Sequence, residues 1–259
     1  NGVIIVTTKR GTDQRPSVNF STNLGIKQPL SAPQYADYVT SMKMWNEAVY
    51  NDKNWDYMIP ESTISAWENA YATGNYGPYN DYFPEIDWWE EMIHIGQQQQ
   101  YNLNFRGGTQ FVNYFVSFAF LNDGDILNID EQEMFDNSYW YKRYNWRTNL
   151  DFRLTASTTF SVNLAGVQGN RNSAGFRGPT GTADPDNAHT QAFYKELYRA
   201  ARNMFPIRWS QGNNLGDGEY GTAADGSGNL KTYFERGQRT FKNYQNFIDL
   251  NLDQNLDFI

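Results

Sequence analysis

The chain has 259 residues, of which 39% are hydrophobic and 17% are aromatic, and this composition is too apolar for a disordered protein. Only 19% of the residues are charged and the net charge is -8, so a basic surface for nucleic acid is not expected. The absence of cysteine excludes a disulfide framework and thiolate metal sites.

The first predicted element is a buried strand at residues 3–6. This run, VIIV, is continuously apolar, as in a strand that is covered on both faces, and such a strand needs neighbours in a sheet. No neighbour precedes it, and the sequence stops within or just after another alternating strand. We therefore expect the chain to be an internal part of a longer protein. No apolar run reaches the roughly 18 residues that a membrane helix needs.

Six later segments alternate apolar and polar residues with a period of two, which is typical of strands with two different faces. One face is apolar, whereas the other is rich in Asn, Ser, Arg and Asp and must contact water. Four residues on the polar side break the pattern: Phe111, Phe115, Leu121 and Phe247. The six segments cover residues 18–26, 101–106, 112–121, 143–154, 160–164 and 244–253.

The connections between these segments are alternately short and long. Residues 107–110 and 155–158 are tight turns, whereas the other three connections far exceed the usual length of roughly two to six residues. In an antiparallel meander this alternation places every long loop at one end of the sheet, as in outer-membrane barrels. A soluble sandwich would show the same two faces without explaining this order. The long connections are residues 27–98, 122–141 and 169–242.

Parts of the long loops show helical spacing of apolar residues. Those helices would cover one end of the sheet. We predict one helix through Tyr35, Tyr38, Val39, Met42 and Val49, a second through Ile64, Trp67 and Tyr71 with Ser62 or Thr63 as its cap, and a third over residues 188–203 with Phe193 and Leu197 inward.

Several stretches together resemble the SusC/RagA family of TonB-dependent outer-membrane transporters. NGVIIVTTKRG, residues 1–11, is similar to the family's last plug strand. Residues 86–127, which contain IDWW, YNLNF and the GGT turn, resemble its second and third barrel strands. YKRYNWRTNLDFRLTASTTFSVNLAGVQ is similar to the fourth and fifth strands, and RAARNMFPIRW to a loop helix that ends in a proline turn.

The resemblance implies an all-β fold that is part of a transmembrane antiparallel barrel of about 22 strands with an N-terminal plug. Residues 1–11 would be the last plug strand, residues 12–16 the crossing from plug to barrel, and residues 17–259 the first six barrel strands with partly helical extracellular loops. Most of the plug, the segment that contacts TonB and the remaining strands would then lie outside this sequence.

The resemblance also implies a function. The protein would import an oligosaccharide or a peptide across the outer membrane of a Gram-negative bacterium, with energy from the TonB complex. A SusD-like lipoprotein would cover the external mouth, and membrane lipid would contact the apolar face. The alternative is a soluble or cell-surface carbohydrate-binding β-sandwich with its apolar face inward. A third possibility is a family member that serves surface assembly instead of uptake.

Two sets of candidate site residues follow from this arrangement. The polar face of the fourth segment would line the lumen and contact the substrate or the plug. The aromatic residues of the first long loop, which include Tyr79 and Tyr82, would either stack on substrate or pack against the lid protein and against each other. The lumen-facing set is Arg143, Asn145, Arg147, Asn149, Asp151 and Arg153, and the loop set is Trp45, Trp55, Trp67, Trp88 and Trp89.

An enzyme is not expected. The two histidines, His94 and His189, lie in predicted loops without a catalytic motif. The carboxylates of Asp87, Glu90 and Glu91 are more typical of a solvated rim than of an acid–base pair. Residues 123–125 and 225–229 faintly resemble calcium loops but lack their ligand count, so we expect no cofactor and no metal.

Overall fold

The computed structural model describes residues 9–75, 81, 83–175, 185–210, 218–221, 229–235 and 237–256. Most of the predicted plug strand, residues 1–8, lies outside these ranges. Within them, six strands form one sheet in the order of the sequence, and each strand pairs antiparallel with the next. The strands are β1 Ser17–Lys27, β2 Gly96–Gly108, β3 Val112–Gly124, β4 Trp140–Arg153, β5 Thr158–Ala174 and β6 Gln238–Gln254.

The strands extend beyond their predicted ends on the side of the long loops. The connections that remain there are residues 28–95, 125–139 and 175–237, so the predicted loops 27–98, 122–141 and 169–242 were too long. The added residues include Gln97–Gln100, which have uncharged polar side chains on both faces and therefore no alternation of hydropathy. Their backbone groups nevertheless continue the ladder with β1 and β3, because backbone pairing does not require an apolar face.

In the part of the chain that the structure describes, four α-helices lie in the long connections. The helix α1 begins after Asp37, so Tyr35 precedes the helix and its predicted place in it was wrong. The Asp37 carboxylate accepts a hydrogen bond of 2.8 Å from the Thr40 amide. The helix α2 follows Pro60, so that Ser62 and Thr63 lie inside the helix and the prediction that they cap it was wrong. Among the described residues, no helix is both long and apolar enough to span a membrane. The helices are α1 Tyr38–Asn51, α2 Glu61–Thr73, α3 Trp88–Met92 and α4 Pro185–Arg199.

Two groups of buried residues form the core, and both lie mainly in the loops. The larger group joins α3 and α4, where Phe193 and Leu197 are buried as predicted, to residues that follow them. The smaller group joins α1 and α2. These packed loops gather at one end of the sheet. The larger group comprises Trp88, Met92, Ala174, Phe193, Leu197, Phe205, Leu230 and Phe234, and the smaller Val39, Met42, Ile64 and Trp67.

The apolar face of the sheet is largely uncovered. The side chains of Phe20, Ile26 and Ile248 are 63%, 76% and 73% exposed. Tyr101, Phe120 and Tyr144 stack in one row across three neighbouring strands, with ring centroids 6.3 and 4.9 Å apart. The register confirms that the apolar sets of all six segments share this face.

Gly166 creates the space that Trp146 occupies on the apolar face. The two residues are directly opposite in the ladder between β4 and β5, and a Cβ at Gly166 would lie 2.0 Å from the indole ring. The ring therefore lies flat over the glycine. This glycine also interrupts the apolar alternation of β5, which is why the sequence predicted too short a strand.

We predict that Gly166→Ala lowers the free energy of unfolding of the intact protein by about 1–3 kcal/mol, because the indole must leave its position. The midpoint of guanidinium unfolding, followed by tryptophan fluorescence, measures this loss. Gly25→Ala is the matched control, since its Cβ would meet no atom closer than 3.6 Å. Equal stability of the two variants would contradict the role of Gly166.

Candidate functional site

The polar face of β4 presents the predicted row of side chains. Arg143, Asn145, Arg147, Asn149, Asp151 and Arg153 alternate with the apolar set and therefore share one face. Their neighbours across the ladders are small at the centre, where Arg147 lies between Ser117 on β3 and Ala165 on β5. Within the described part of the chain, no carboxylate lies within 4 Å of the guanidinium groups of Arg143, Arg147 or Arg153. With three arginines and one aspartate, this row carries a net positive charge.

Residues 9–16, which we call the strap, lie across this polar face. The strap has no regular structure. The carbonyl of Lys9 accepts a hydrogen bond of 2.7 Å from Asn149 Nδ2, and the Arg10 guanidinium pairs with the Asp151 carboxylate. Ser161 on β5 also donates to Asp151, at 2.6 Å. The wall of the sheet thus holds the strap through both a backbone contact and an ion pair.

Gly11 allows the strap to reach the backbone of the sheet. It is buried, and a Cβ at this position would lie 2.4 Å from the amide nitrogen of Tyr114 and 2.7 Å from the carbonyl oxygen of Gly107. Further along, the amide of Gly108 donates a hydrogen bond of 3.1 Å to the Gln14 carbonyl. Any larger residue at Gly11 would lift the strap away from β2 and β3.

Two residues that break the polar pattern lie beside the strap. Phe115 on β3 and Phe247 on β6 line a cavity of about 430 Å³ together with Lys9 and Arg147. Phe115 is only 6% exposed. Burial next to the strap therefore explains why Phe115 is apolar although it lies on the polar face.

The sequence predicted that the polar face of β4 contacts the plug or the substrate. In the structure, one contact of this face is the ion pair between Asp151 and Arg10 of the strap. Asn149, which is only 3% exposed, was predicted as a contact residue without its partner, the Lys9 carbonyl. Both partners belong to the motif KRG at residues 9–11.

A second charged group holds the external loops together, and we call it the charged cluster: Glu91, Asp130, Arg208, Tyr220 and Lys231. Asp130 accepts from Tyr220 Oη at 2.7 Å and from Arg208 at 3.0 Å. The ammonium of Lys231 is almost fully buried and lies 2.8 Å from Glu91 and 3.4 Å from Asp130. The guanidinium of Arg208 also stacks on the Tyr220 ring. The cluster therefore joins three separate loop segments.

The cluster lowers the pKa of Asp130. Burial alone raises this pKa, but the hydrogen bonds from Tyr220 and Arg208 and the charge of Lys231 outweigh burial, so the net change is downward. Burial and the adjacent Asp130 carboxylate raise the pKa of Tyr220, which therefore stays a neutral donor. The charged form of Asp130 is the form that the folded loops require.

The predicted acidic rim at residues 87–91 is in fact engaged in local contacts. Asp87 caps α3 by accepting from the amides of Trp89 and Glu90, and it pairs with Arg202 at 2.9 Å. Glu91 pairs with Lys231, so of the three carboxylates only Glu90 is exposed. The sequence missed α3 itself, although Asp87 followed by Glu90 is a capping pattern that could have indicated it.

The aromatic residues of the first long loop divide into two groups. Trp67 and Trp88 are 9% and 3% exposed and belong to the two cores, and Trp89 packs on Tyr198. Trp45 and Trp55 are 52% and 62% exposed, and the Trp45 indole donates to the Tyr57 carbonyl at 3.0 Å. Packing thus explains three of the five tryptophans. Tyr79 and Tyr82 lie outside the described residues.

The remaining predicted sites show no constellation for chemistry. His94 is exposed, and the side chain of His189 lies outside the described part. Asp123 pairs with Lys27 at 2.7 Å, and residues 225–228 are outside the described ranges. Among the described residues, no group of three potential metal ligands occurs. The predictions about metals and cofactors stay untested.

Comparisons with known proteins agree with the predicted family. The structure of the RagAB peptide transporter matches 96% of this chain with a TM-score of 0.58 and 17% identity, and the match covers 28% of that chain. TonB-dependent receptor P26 of Formosa agariphila is 27% identical over 203 residues, and TonB-dependent receptor P3 of the same organism is 23% identical over 184 residues. The chain is therefore similar in fold to the RagAB peptide transporter and similar in sequence to TonB-dependent receptors.

The chain spans only a small part of these relatives. The two matches cover 76% and 70% of this chain but 17% and 14% of the receptors. No protein-family model matches the chain. These relatives are named receptors and the solved structure is a transporter, and none of these names denotes an enzyme, which agrees with the prediction from the sequence. Antiparallel strands and partly helical loops are also confirmed.

We predict that Asp151→Asn releases the strap from the sheet. The ion pair with Arg10 would be lost, and hydrogen bonds to charged groups contribute about 1.5–3 kcal/mol each. Amide hydrogen exchange at residues 10–14 should then be about 10-fold faster or more. Asp249→Asn is the control, because that carboxylate is on the same face and accepts from Asn163 rather than from the strap. Equal exchange in both variants would show that the pair does not hold the strap.

We further predict that acid loosens the external loops through Asp130. Because the folded pKa is lowered, its contribution to stability is complete above the unfolded value of about 3.9 and is lost as the pH falls through the folded value. Protease sensitivity of the loops, measured against pH, should rise in that range. Asp130→Asn should raise the sensitivity at neutral pH and remove this acid step, whereas Asp56→Asn, at an exposed loop carboxylate, should leave it unchanged. An unchanged acid step in Asp130→Asn would refute the role of the cluster.

Proposed function

We propose that the chain forms one arc of an outer-membrane β-barrel that imports a nutrient with energy from TonB. The membrane is that of a Gram-negative bacterium, and the nutrient is an oligosaccharide or a peptide. A SusD-like surface lipoprotein covers the long loops. The observation that carries this proposal is the uncovered apolar face of the sheet, because an apolar surface that spans six strands requires lipid or another protein.

The distribution of covering elements favours lipid. The described core groups lie in the loops at one end, and the strap lies on the polar face. In a sandwich, a second layer would instead pack on the apolar face. On that face Val18, Leu250 and Leu252 are 64%, 61% and 62% exposed. The arrangement is that of a barrel wall, which is apolar outside and wet inside.

The height of the apolar face fits a membrane. On β4 the apolar face runs from Tyr144 to Leu154. Ten residue steps of about 3.3 Å give about 33 Å along the strand, or about 25 Å along the membrane normal at a barrel tilt of about 40°. This value matches the apolar band of about 25 Å in outer-membrane barrels. The stacked row at Tyr101, Phe120 and Tyr144 forms the aromatic girdle at its loop end.

The polar face supplies the path for the nutrient. Arg143, Arg147 and Arg153 line it without a carboxylate within 4 Å among the described residues, so they can attract a hydrated solute with acidic or hydroxyl groups. The strap is the crossing between plug and barrel, and its attachment at Asn149 and Asp151 fixes the end of the segment that TonB would pull. The uptake itself needs no bond in the nutrient to break.

The exposed loop aromatics are the first contacts outside the barrel. Trp45, Trp55 and Tyr57 lie on adjoining segments and are each more than half exposed. Flat apolar rings of this kind stack on sugars or pack against the aromatic core of a protein interface. They therefore serve the substrate or the lid lipoprotein.

Fractionation of the source cells tests the proposal. We expect antibodies against residues 143–154 to detect a polypeptide several-fold larger than 30.0 kDa in the outer-membrane fraction. Deletion of TonB should abolish uptake of the nutrient while leaving that fraction unchanged. A polypeptide near 30 kDa in the soluble fraction would instead favour the carbohydrate-binding sandwich. Membrane location with TonB-independent function would favour surface assembly.

A further inference from the structure

We propose that the lipid-facing side of the sheet binds the phosphate groups of anionic lipid headgroups through a ledge formed by Lys142, Asn170 and Lys242. This inference rests on the proposed function, in which the apolar face contacts the membrane. It names the chemical group that this face would bind, and it places that group at the end of the sheet that carries the long loops.

The register places the ledge directly beside the aromatic girdle. One row across the sheet contains Tyr101, Phe120, Tyr144 and Tyr244, and the next row toward the loops contains Lys142 and Lys242. The aromatic girdle of a membrane protein lies at the level of the headgroups. Side chains one row further out therefore lie among the headgroup phosphates. The complete second row is Leu24, Gln99, Asn122, Lys142, Asn170 and Lys242, and it contains no carboxylate.

The spacing suits a shared anion. Asn170 on β5 pairs with Lys142 on one side and with Lys242 on the other. Two strand spacings of about 4.8 Å separate the two lysine backbones by about 10 Å. Long lysine side chains can therefore converge over Asn170, and the side-chain amides of Asn122 and Asn170 supply neutral donors beside them. A headgroup phosphate has the charge and the acceptor oxygens that this row lacks.

Lys142 is oriented by an aromatic ring, and it has no ion pair among the described residues. Its ammonium lies 4.3 Å from the centroid of the Trp140 ring. The Trp140 indole donates to Asp136 at 2.8 Å, and Ser138 donates to the same carboxylate. Among the described residues, neither Lys142 nor Lys242 has a carboxylate oxygen within 4 Å. Both charges are therefore available to an external anion.

A cavity of about 840 Å³ lies between the loop 125–139 and the ends of the strands. The sheet supplies Asn122, Trp140 and Lys142 to its lining, whereas the acidic residues Asp125, Glu131, Glu133 and Asp136 belong to the loop. Lys142, which carries the positive charge on the sheet side of this lining, is also part of the ledge. A headgroup that extends beyond the lipid surface has room to enter on the basic side.

The test uses the full-length protein, purified in detergent, with phosphatidylglycerol as the probe and phosphatidylcholine as the neutral comparison. Native mass spectrometry gives the affinity for each lipid. Because a lysine near an anionic membrane contributes about 1 kcal/mol, we expect Lys142→Gln and Lys242→Gln each to weaken phosphatidylglycerol binding about 5-fold, and the double variant about 30-fold. Phosphatidylcholine binding should not change.

Lys43→Gln is the matched control, since Lys43 is exposed on α1, away from the sheet, and the charge change is the same. The ledge is refuted if the double variant retains wild-type binding, or if Lys43→Gln weakens binding equally. Heat-dependent gel mobility shows whether each variant is folded, and the single variants provide the answer if the double variant is not. A folded outer-membrane protein without this lipid preference would refute the ledge alone, whereas a soluble protein would refute the proposed function as well.

Discussion

The alternation of apolar and polar side chains along six paired strands is the constraint on which the rest of the structure depends. In every pair of strands, residues of the same face lie opposite each other. Each row of side chains therefore crosses the whole sheet on one side. The aromatic girdle, the arginine row and the ledge all follow from this register. A slip of one residue in a single strand would place its charged side chains on the apolar face and its apolar side chains on the polar face.

Much of this arrangement could be predicted from the sequence, because both faces repeat with a period of two. The prediction failed where that signal is absent. At Gln97–Gln100 and at the loop end of β5, polar residues and glycines occupy both faces, and only backbone pairing extends the strands there. Gly166 is one of these glycines. The reason for a glycine there is clear only from the structure, in which the Trp146 ring of the neighbouring strand occupies the place of a side chain.

The candidate site could be predicted only in part. The shared face of the β4 residues from Arg143 to Arg153 follows from periodicity alone. Their partners do not, because the strap contacts Asp151 across a sequence separation of 141 residues and local patterns carry no information about such pairs. The burial of Trp67 and Trp88 likewise depends on how separate loop segments pack, so aromatic content could not distinguish core residues from exposed ones.

The free edge of β6 has a consequence for how these residues behave apart from their neighbours. All 17 residues of this strand are exposed, and among the described strands only β5 pairs with it, so one complete row of amides and carbonyls is unpaired. Such an edge is a template for the addition of any other extended chain. Expressed separately, this segment would be expected to join with copies of itself into insoluble aggregates. Another strand must therefore pair with this edge during assembly, before the edge contacts the β6 edge of a second copy.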